Sequence, residues 1–263
     1  MSGPGVGDLR EGLSAGGLIR TGADRDRIPT PFSALLDCAV EFVHAVAPAA
    51  SVYLYGSVAT GVARPPQSDV DLLTIGLPVD RAEEISDRLS HEHVAMCRGV
   101  DIAASAETDL VGDSDEAYGG RVFLHHYCLH LAGPDLDQAT SGFRGDRRAA
   151  RGFNGDIERH AARWRQEIDD TDPVHLGRLI GRKTLLAVAG LVSVNDRTWT
   201  TDRERAATRW EQIHPELADG LTELHEWSSG LTAAQPKRIA ARLDDTVDRI
   251  VHQFADTIGL WST

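Results

Sequence analysis

The sequence contains few cysteines. Cys38, Cys97 and Cys128 are the only three in 263 residues, and they lie far apart. An odd number of distant cysteines does not suit a disulfide framework, nor a zinc site built from paired Cys-x-x-Cys ligands. The sequence therefore predicts buried thiols.

Long apolar runs are also absent, and basic residues are fewer than acidic ones. No segment approaches 18 apolar residues, and the first residues, MSGPGVGDLREGLSAGG, lack the apolar core of a signal peptide. The sequence thus predicts a cytoplasmic protein without a membrane partner. The 27 basic and 40 acidic residues give a net charge of −13, so a broad nucleic-acid-binding face is not expected. Such acidity suits a cationic small substrate, although it also serves solubility alone.

The remaining pattern divides the chain into three parts. Residues 1–28 are rich in Gly, Asp and Arg without apolar periodicity, which predicts a flexible N-terminal segment. Residues 29–140 alternate helical and strand patterns, which predicts an α/β domain with a mixed sheet. Residues 141–263 carry apolar residues at spacings of three and four only, which predicts a helical bundle. The expected fold class is α+β, with a Gly- and Arg-rich boundary near residues 135–155.

The α/β part is predicted to begin with a helix over residues 30–48, with Thr30 as its N-cap. Strands follow at SVYLYG, VDLLTIG, GVDIAAS and RVFLHHYCLHLAG, with a helix over VDRAEEISDRLSHEHVAM. On the last of these strands, His126 and His130 are interpreted as packing residues without a function.

One stretch, YGSVATGVARPPQSDVDLL at residues 55–73, points to chemistry. Gly56 and Ser57 follow a strand, where a residue without Cβ, a hydroxyl and free amides suit a phosphate. Asp69 and Asp71 lie two residues apart on the next predicted strand, so both carboxylates leave from one face. Carboxylates placed so closely favour a cation such as Mg²⁺. An isolated Asp-x-Asp facing water remains the alternative, but a later strand supplies a third acid, Asp101, expected to be buried.

This order of residues resembles the nucleotidyltransferase superfamily, which includes DNA polymerase β, kanamycin and streptomycin/spectinomycin nucleotidyltransferases, and small antitoxins. The resemblance implies that Gly56 and Ser57 bind the triphosphate of ATP. It implies that Asp69 and Asp71 hold two Mg²⁺ ions, and that Asp101 is a metal ligand or general base.

The resemblance has two further details at the loop before the aspartates. Ser68 matches a frequent position of the family and is predicted to contact the nucleotide. Eleven residues separate Ser57 from Asp69 where ten is commoner, and the extra one is assigned to ARPPQS, a loop whose length costs little.

The helical half resembles the C-terminal domain of streptomycin/spectinomycin adenylyltransferases. That likeness implies that Arg182, with Lys183, and Arg203 contact the triphosphate, although basic residues on amphipathic helices usually face solvent. It also implies that Asp172 and His175 line the acceptor pocket. Asp172 is equally a helix N-cap, with Pro173 in the first helical position, and the two roles are compatible.

The resemblance as a whole implies a Mg²⁺-dependent enzyme that transfers AMP from ATP to a hydroxyl of a small aminoglycoside-like acceptor and releases pyrophosphate. Two alternatives stay open: transfer to a protein or RNA, as among the antitoxins, and a non-catalytic nucleotide-binding protein of the same fold. The arginines at positions 144, 147, 148 and 151 suit either RNA or phosphate contact, or a structural role at the domain junction. The sequence does not fix the oligomeric state.

Overall fold

The computed structural model describes residues 11–262. The strands there are β1 (Glu11–Leu13), β2 (Ile19–Thr21), β3 (Ser51–Tyr55), β4 (Val70–Ile75), β5 (Val100–Ser105) and β6 (Leu129–Ala132). The helices there are α1 (Ser33–Val46), α2 (Gly56–Ala59), α3 (Val79–Glu92), α4 (Asp115–Tyr127), α5 (Arg147–Asn154), α6 (Ile157–Glu167), α7 (Pro173–Asn195), α8 (Arg203–Ile213), α9 (Ala218–Ser229), α10 (Pro236–Arg242) and α11 (Asp248–Thr257). A π-helical turn, Leu243–Val247, joins α10 to α11. No helix within the described residues combines the length and apolar content that a membrane span requires.

The described chain forms two compact units. The sheet unit contains residues 20–113 and 120–143, and the helical unit contains residues 11–19, 114–119 and 144–262. The sequence places one boundary near residue 140. The structure has a change of unit at Phe143 and Arg144, but the helical unit also takes two short segments from the N-terminal half.

The sheet unit is built on a four-stranded mixed sheet in the order β5-β4-β3-β6. β3 pairs antiparallel with both β4 and β6, whereas β4 and β5 are parallel. The C-terminal end of β3 therefore lies at the same edge as the N-terminal ends of β4 and β5. This mixed sheet, followed by the helices of the other unit, confirms the predicted fold class.

The two faces of this sheet are covered differently. On one face, alternate residues such as Val70 and Leu72 join Leu35 of α1 and Leu89 of α3 in a buried apolar core. Burying such side chains stabilises the fold by about 1.5–3 kcal/mol each. On the other face, Tyr53 packs with Leu124 of α4 in a smaller cluster. Every second residue of β4 is thus turned away from the main core.

The helical unit is organised around α7. This helix buries residues around most of its circumference, including Leu176, Ile180, Leu185, Val188 and Leu191, as expected for a helix surrounded by others. Within the same unit, the α4 and α5 backbones touch. A Cβ added at Gly119 would lie 2.9 Å from the Cα of Gly152, and one at Gly152 would lie 2.7 Å from the Cα of Gly119.

The prediction for residues 1–28 differs from the structure. The segment 1–28 was expected to be flexible; its first ten residues lie outside the described residues, but the rest contains β1, β2 and a short 3-10 turn at Arg25–Arg27. Ile19 and Thr21 are buried, and the Thr21 hydroxyl donates to the carbonyl of His126. Tertiary contacts therefore stabilise strands that are too short to show a period.

The sequence predicts one strand over the stretch RVFLHHYCLHLAG, and this prediction is wrong for the first half of the stretch. The residues up to Tyr127 form the last part of helix α4. Only Leu129–Ala132 form a strand, β6. His126 therefore lies on a helix and His130 on a strand. The acidic residues Asp115 and Glu116, in the first turn of α4, favour the helix through its dipole.

Candidate active site

The first two aspartates lie where β4 begins. Asp71 is the second residue of β4 and Asp69 directly precedes the strand. Their neighbours Val70 and Leu72 are fully buried in the main core. Because side chains alternate along a strand, Asp69 and Asp71 both face away from that core, as the sequence predicts.

Asp101 is aligned with Asp71 on the neighbouring strand. The two are register partners in the parallel β4–β5 pair, so their Cα atoms are about 4.8 Å apart and their side chains leave the same face. The expectation that Asp101 is buried is wrong: this residue is exposed. β5 is the edge strand, and here the face of the sheet that carries Asp101 is open to solvent.

Gly56 brings the backbone against Asp71. It directly follows Tyr55, the register partner of Asp71 on β3, and has φ of +74°. A Cβ added at Gly56 would lie 3.0 Å from Cγ of Asp71 and closer still to Oδ2. Only glycine combines this backbone conformation with that approach, so the carboxylate of Asp71 rests on the strand-to-helix turn.

Arg98 holds the carboxylate of Asp69. Its Nε donates to Oδ1 at 2.9 Å and its Nη2 donates to Oδ2. The backbone fixes this geometry, because the N–H of Arg98 donates to Ser68 O at 3.1 Å and the N–H of Val70 donates to Gly99 O at 3.0 Å. The sequence analysis missed Arg98. The parallel β4–β5 register, which places Arg98 beside Asp69, is the signal that would have identified it.

The site is strongly anionic. The pKa of the Tyr55 hydroxyl is raised above its ordinary value, first by burial and then by the charges of Asp71 and Asp101. The pKa of Arg98 is raised, first by its hydrogen bond to Asp69 and further by the charges of Asp69 and Asp71. The negative charge of the carboxylates thus contributes to both shifts, beside burial for Tyr55 and the hydrogen bond to Asp69 for Arg98.

The two serines predicted to bind the nucleotide, Ser57 and Ser68, lie near the aspartates in sequence but differ in their surroundings. Ser57 is half-buried in the first turn of α2, where the first N–H groups of a helix have no intrahelical acceptor. Ser68 accepts the N–H of Arg64 at its Oγ, at 2.9 Å, and so closes the preceding loop. A nucleotide contact for Ser57 and for Ser68 stays a prediction.

The predicted nucleotide cations lie in the helical unit. Arg182 and Lys183 are half-buried on α7, and Arg203 begins α8. Lys183 is held within that unit, because its Nζ lies 2.6 Å from Oδ1 of Asp156 and donates to Phe153 O at 3.2 Å. The pKa of Asp156 is lowered; burial opposes this shift, and His160 and Lys183 together outweigh it.

The predicted acceptor residues lie at the start of α7. Asp172 is its N-cap, and its Oδ1 accepts the N–H of His175 at 2.8 Å. Both residues are exposed. The structural role predicted for Asp172 is therefore present, and the acceptor role of this pair stays a prediction.

The aspartate site fits magnesium by its donor atoms. Three carboxylates are the hard oxygen ligands that Mg²⁺ prefers. Because Gly56 has no Cβ, the backbone turn lies directly against the carboxylate of Asp71, and Arg98 orients Asp69 as outer partners of metal ligands do. Asp69, Asp71 and Asp101 are thus the residues that would hold the ions.

Comparison with known proteins agrees with this geometry. Residues 39–99 match the nucleotidyltransferase domain family, a range that includes Gly56, Ser57, Asp69 and Asp71. No curated protein matches the sequence. A spectinomycin adenyltransferase, AAD(9) from Enterococcus faecialis, has a similar structure, solved with ATP and spectinomycin. The TM-score is 0.52 and the identity 10%, over 83% of this chain and 98% of that one.

At 10% identity, the structural match concerns the fold alone. It extends over most of both chains, beyond the range of the family match. The resemblance predicted from the sequence is thereby confirmed. Residues 39–99 match the nucleotidyltransferase domain family, and the fold of the chain is similar to that of an adenyltransferase.

Proposed function

We propose that this protein is a Mg²⁺-dependent nucleotidyltransferase that moves AMP from ATP to a hydroxyl of a small aminoglycoside-like molecule and releases pyrophosphate. The observation that carries this proposal is the placement of Asp69, Asp71 and Asp101 on one face of the sheet, with Asp71 against the Gly56 turn. Carboxylates that share one face of a sheet repel one another, and bound cations would offset this repulsion.

The reaction is an in-line attack of the acceptor hydroxyl on the α-phosphorus of the triphosphate, with pyrophosphate as leaving group. Bound Mg²⁺ ions would supply charge neutralisation at the attacking and leaving oxygens. Asp71, fixed by the turn at Gly56, and Asp69, fixed by Arg98, provide rigid ligands. Asp101 is exposed, so its carboxylate is accessible to accept the proton of the incoming hydroxyl.

The leaving pyrophosphate requires positive charge that three carboxylates cannot supply. We assign this role to Arg182 and Arg203 of the helical unit, because one guanidinium group can donate two parallel hydrogen bonds to two phosphate oxygens. Lys183 could join them only by leaving Asp156, to which it is bound at 2.6 Å.

The acceptor is proposed to be cationic. Asp172 and His175 begin α7, and Glu167, Asp169 and Asp170 lie just before it in sequence, so negative charge is concentrated there. Such charge favours an amino sugar over an anionic acceptor. The spectinomycin of the similar adenyltransferase supports the same class of acceptor.

The experiment is a pyrophosphate-release assay on the purified full-length protein with Mg²⁺ and each of the four nucleoside triphosphates. Streptomycin, spectinomycin, kanamycin and total tRNA are tested as acceptors, and mass spectrometry identifies the product. The proposal expects release that requires ATP and one aminoglycoside or aminocyclitol, with AMP added to that molecule.

The matched variants are Asp71→Asn and Asp101→Asn, with Asp80→Asn as the control. Asp80 is an exposed acid in the first turn of α3 and is not part of the site. We expect each site variant to lose at least about a hundredfold in turnover, the upper end of the loss when a partner of a metal ligand is removed. Labelling of tRNA or protein alone would favour the antitoxin-like alternative, and ATP binding without turnover would favour a regulatory protein.

A further inference from the structure

Three potential metal ligands of different types meet on the main-core side of the sheet unit. Cys38 lies on α1, Glu92 is the last residue of α3, and His93 is the C-cap of α3. One ligand atom from each lies within 4.8 Å of the other two. This cluster shares no residue with the aspartate site.

The backbone that carries these ligands is firmly held. α1 and α3 both contribute buried residues, such as Ala39 and Leu89, to the same apolar core. The N–H of His93 donates to Leu89 O at 2.9 Å, and its carbonyl accepts the N–H of Met96 at 2.8 Å. Only side-chain rotations separate the observed arrangement from a closed site.

Those rotations are small. In a tetrahedral zinc site, bonds of about 2.0–2.3 Å place the donor atoms about 3.3–3.6 Å from one another. The donor atoms lie within 4.8 Å of one another, so they would have to approach by at most about 1.5 Å. Glu92 is exposed, while Cys38 and His93 are half-buried and make no side-chain hydrogen bond to any other residue in the range 11–262.

The charges around the thiol suit a cation. The carboxylates of Glu92 and Glu41 both act on the thiol of Cys38, so negative charge lies beside it. Arg88 is the opposing charge: its Nε donates to Oε1 of Glu92 at 2.8 Å, and its guanidinium lies 3.9 Å from the centre of the Phe42 ring. The second oxygen of Glu92 can therefore bind a metal while Arg88 keeps its place.

We propose that Cys38, Glu92 and His93 form a binding site for a zinc-type divalent cation, with water as the fourth ligand. Thiolate and imidazole select zinc and cobalt over magnesium, which prefers oxygen alone. The ion would join α1 to the C-terminal end of α3. This zinc site does not depend on the proposed nucleotidyl transfer.

The test uses the reduced full-length protein titrated with Co²⁺, a coloured substitute for zinc. We expect one equivalent to produce a thiolate-to-cobalt absorption band, and Zn²⁺ to abolish that band by displacement. Cys38→Ser should remove the band, and His93→Ala should weaken binding by more than about tenfold, since even outer partners of metal ligands contribute that much. Zn²⁺ should raise the Tm of the wild type and leave that of Cys38→Ser unchanged.

Two control variants separate this site from others. Cys128→Ala removes a different free thiol and should keep the band. Asp71→Asn should also keep it, because cobalt held by the aspartates has no sulfur ligand. A wild type without a thiolate band, or a Cys38→Ser variant that retains one, would overturn the proposal. Near-ultraviolet circular dichroism verifies that each variant is folded.

Discussion

The guanidinium of Arg98 binds both carboxylate oxygens of Asp69, one through Nε at 2.9 Å and the other through Nη2. If Asp69 holds a metal ion, this pair makes Arg98 a positioning residue: it fixes the carboxylate plane without contacting substrate. We expect Arg98→Ala to lower turnover about 10- to 100-fold and to raise the Mg²⁺ concentration needed for half-maximal activity.

Arg98→Lys is the informative companion variant. Lysine keeps the charge but not the two-point contact, so its activity should stay closer to that of Arg98→Ala than to wild type. Turnover and Mg²⁺ dependence are measured together. Tighter Mg²⁺ binding with unchanged turnover in Arg98→Ala would instead mean that Arg98 competes with the metal.

Gly56 offers a test of the turn against Asp71. Gly56→Ala should abolish transfer, because the new methyl group would displace the Asp71 carboxylate. Gly76→Ala is the matched control: Gly76 has φ of +91°, but the nearest atom to an added Cβ is 3.8 Å away. Both variants should lose about 1–2 kcal/mol in the free energy of unfolding from left-handed backbone strain.

Activity should then separate the two variants. Equal losses of turnover in Gly56→Ala and Gly76→Ala, measured at a temperature where both are folded, would show that backbone strain alone is responsible. The contact with Asp71 would then have no catalytic consequence.

His126 should make stability depend on pH. Its pKa is lowered to about 4, first by burial and then by His125, and its Nε2 accepts the N–H of Phe143 at 2.8 Å. Since the unfolded chain binds a proton at its ordinary pKa of 6.5, the free energy of unfolding should fall as the pH drops from about 6.5 to about 4.

His126→Gln isolates this effect, because the glutamine oxygen can accept the same N–H without titrating in that range. Urea unfolding across the pH range measures the difference in the free energy of unfolding between wild type and variant. The contributions of the carboxylates, which both proteins share, cancel in this difference. An identical pH dependence in the variant would assign the fall in stability to other groups.

Arg151 is expected to stabilise the helical unit. Its Nε and Nη2 donate to the carboxylate of Asp115 at 2.7 and 3.0 Å, and its Nη1 donates to Ile258 O at 3.2 Å. We expect Arg151→Leu to lower the free energy of unfolding by about 1–3 kcal/mol, since it leaves partly buried acceptors unpaired.

Arg147 belongs to the same basic run but is exposed. Arg147→Leu should change stability by less than about 0.5 kcal/mol. Chemical denaturation compares the two variants. Similar effects of both substitutions would mean that the contacts of Arg151 with Asp115 and Ile258 add nothing to stability.

The sequence predicts those parts of the sheet unit whose pattern is local. β3, β4 and β5 are short apolar strands bounded by glycine or polar residues, and each lies within a residue or two of its predicted place. The spacing of Asp69 and Asp71 likewise fixes their common face, because side chains alternate along any strand.

What the sequence misses depends on partners distant in the chain. β2 exists because Thr21 reaches His126, and Arg98 meets Asp69 only through the β4–β5 register. The exposure of Asp101 follows from β5 being an edge strand, a property of strand order. None of these relationships leaves a periodic signal in the residues concerned.

The backbone contact between Gly119 and Gly152 bears on how the protein can be cut into fragments. A polypeptide beginning at residue 141 would leave behind Gly119 and Asp115, and with them the counter-charge of Arg151. The loss of this ion pair and of the close backbone contact would lower the stability of the fragment. The two halves are therefore not interchangeable modules, and swapping the helical half between relatives would require carrying residues 114–119 along with it.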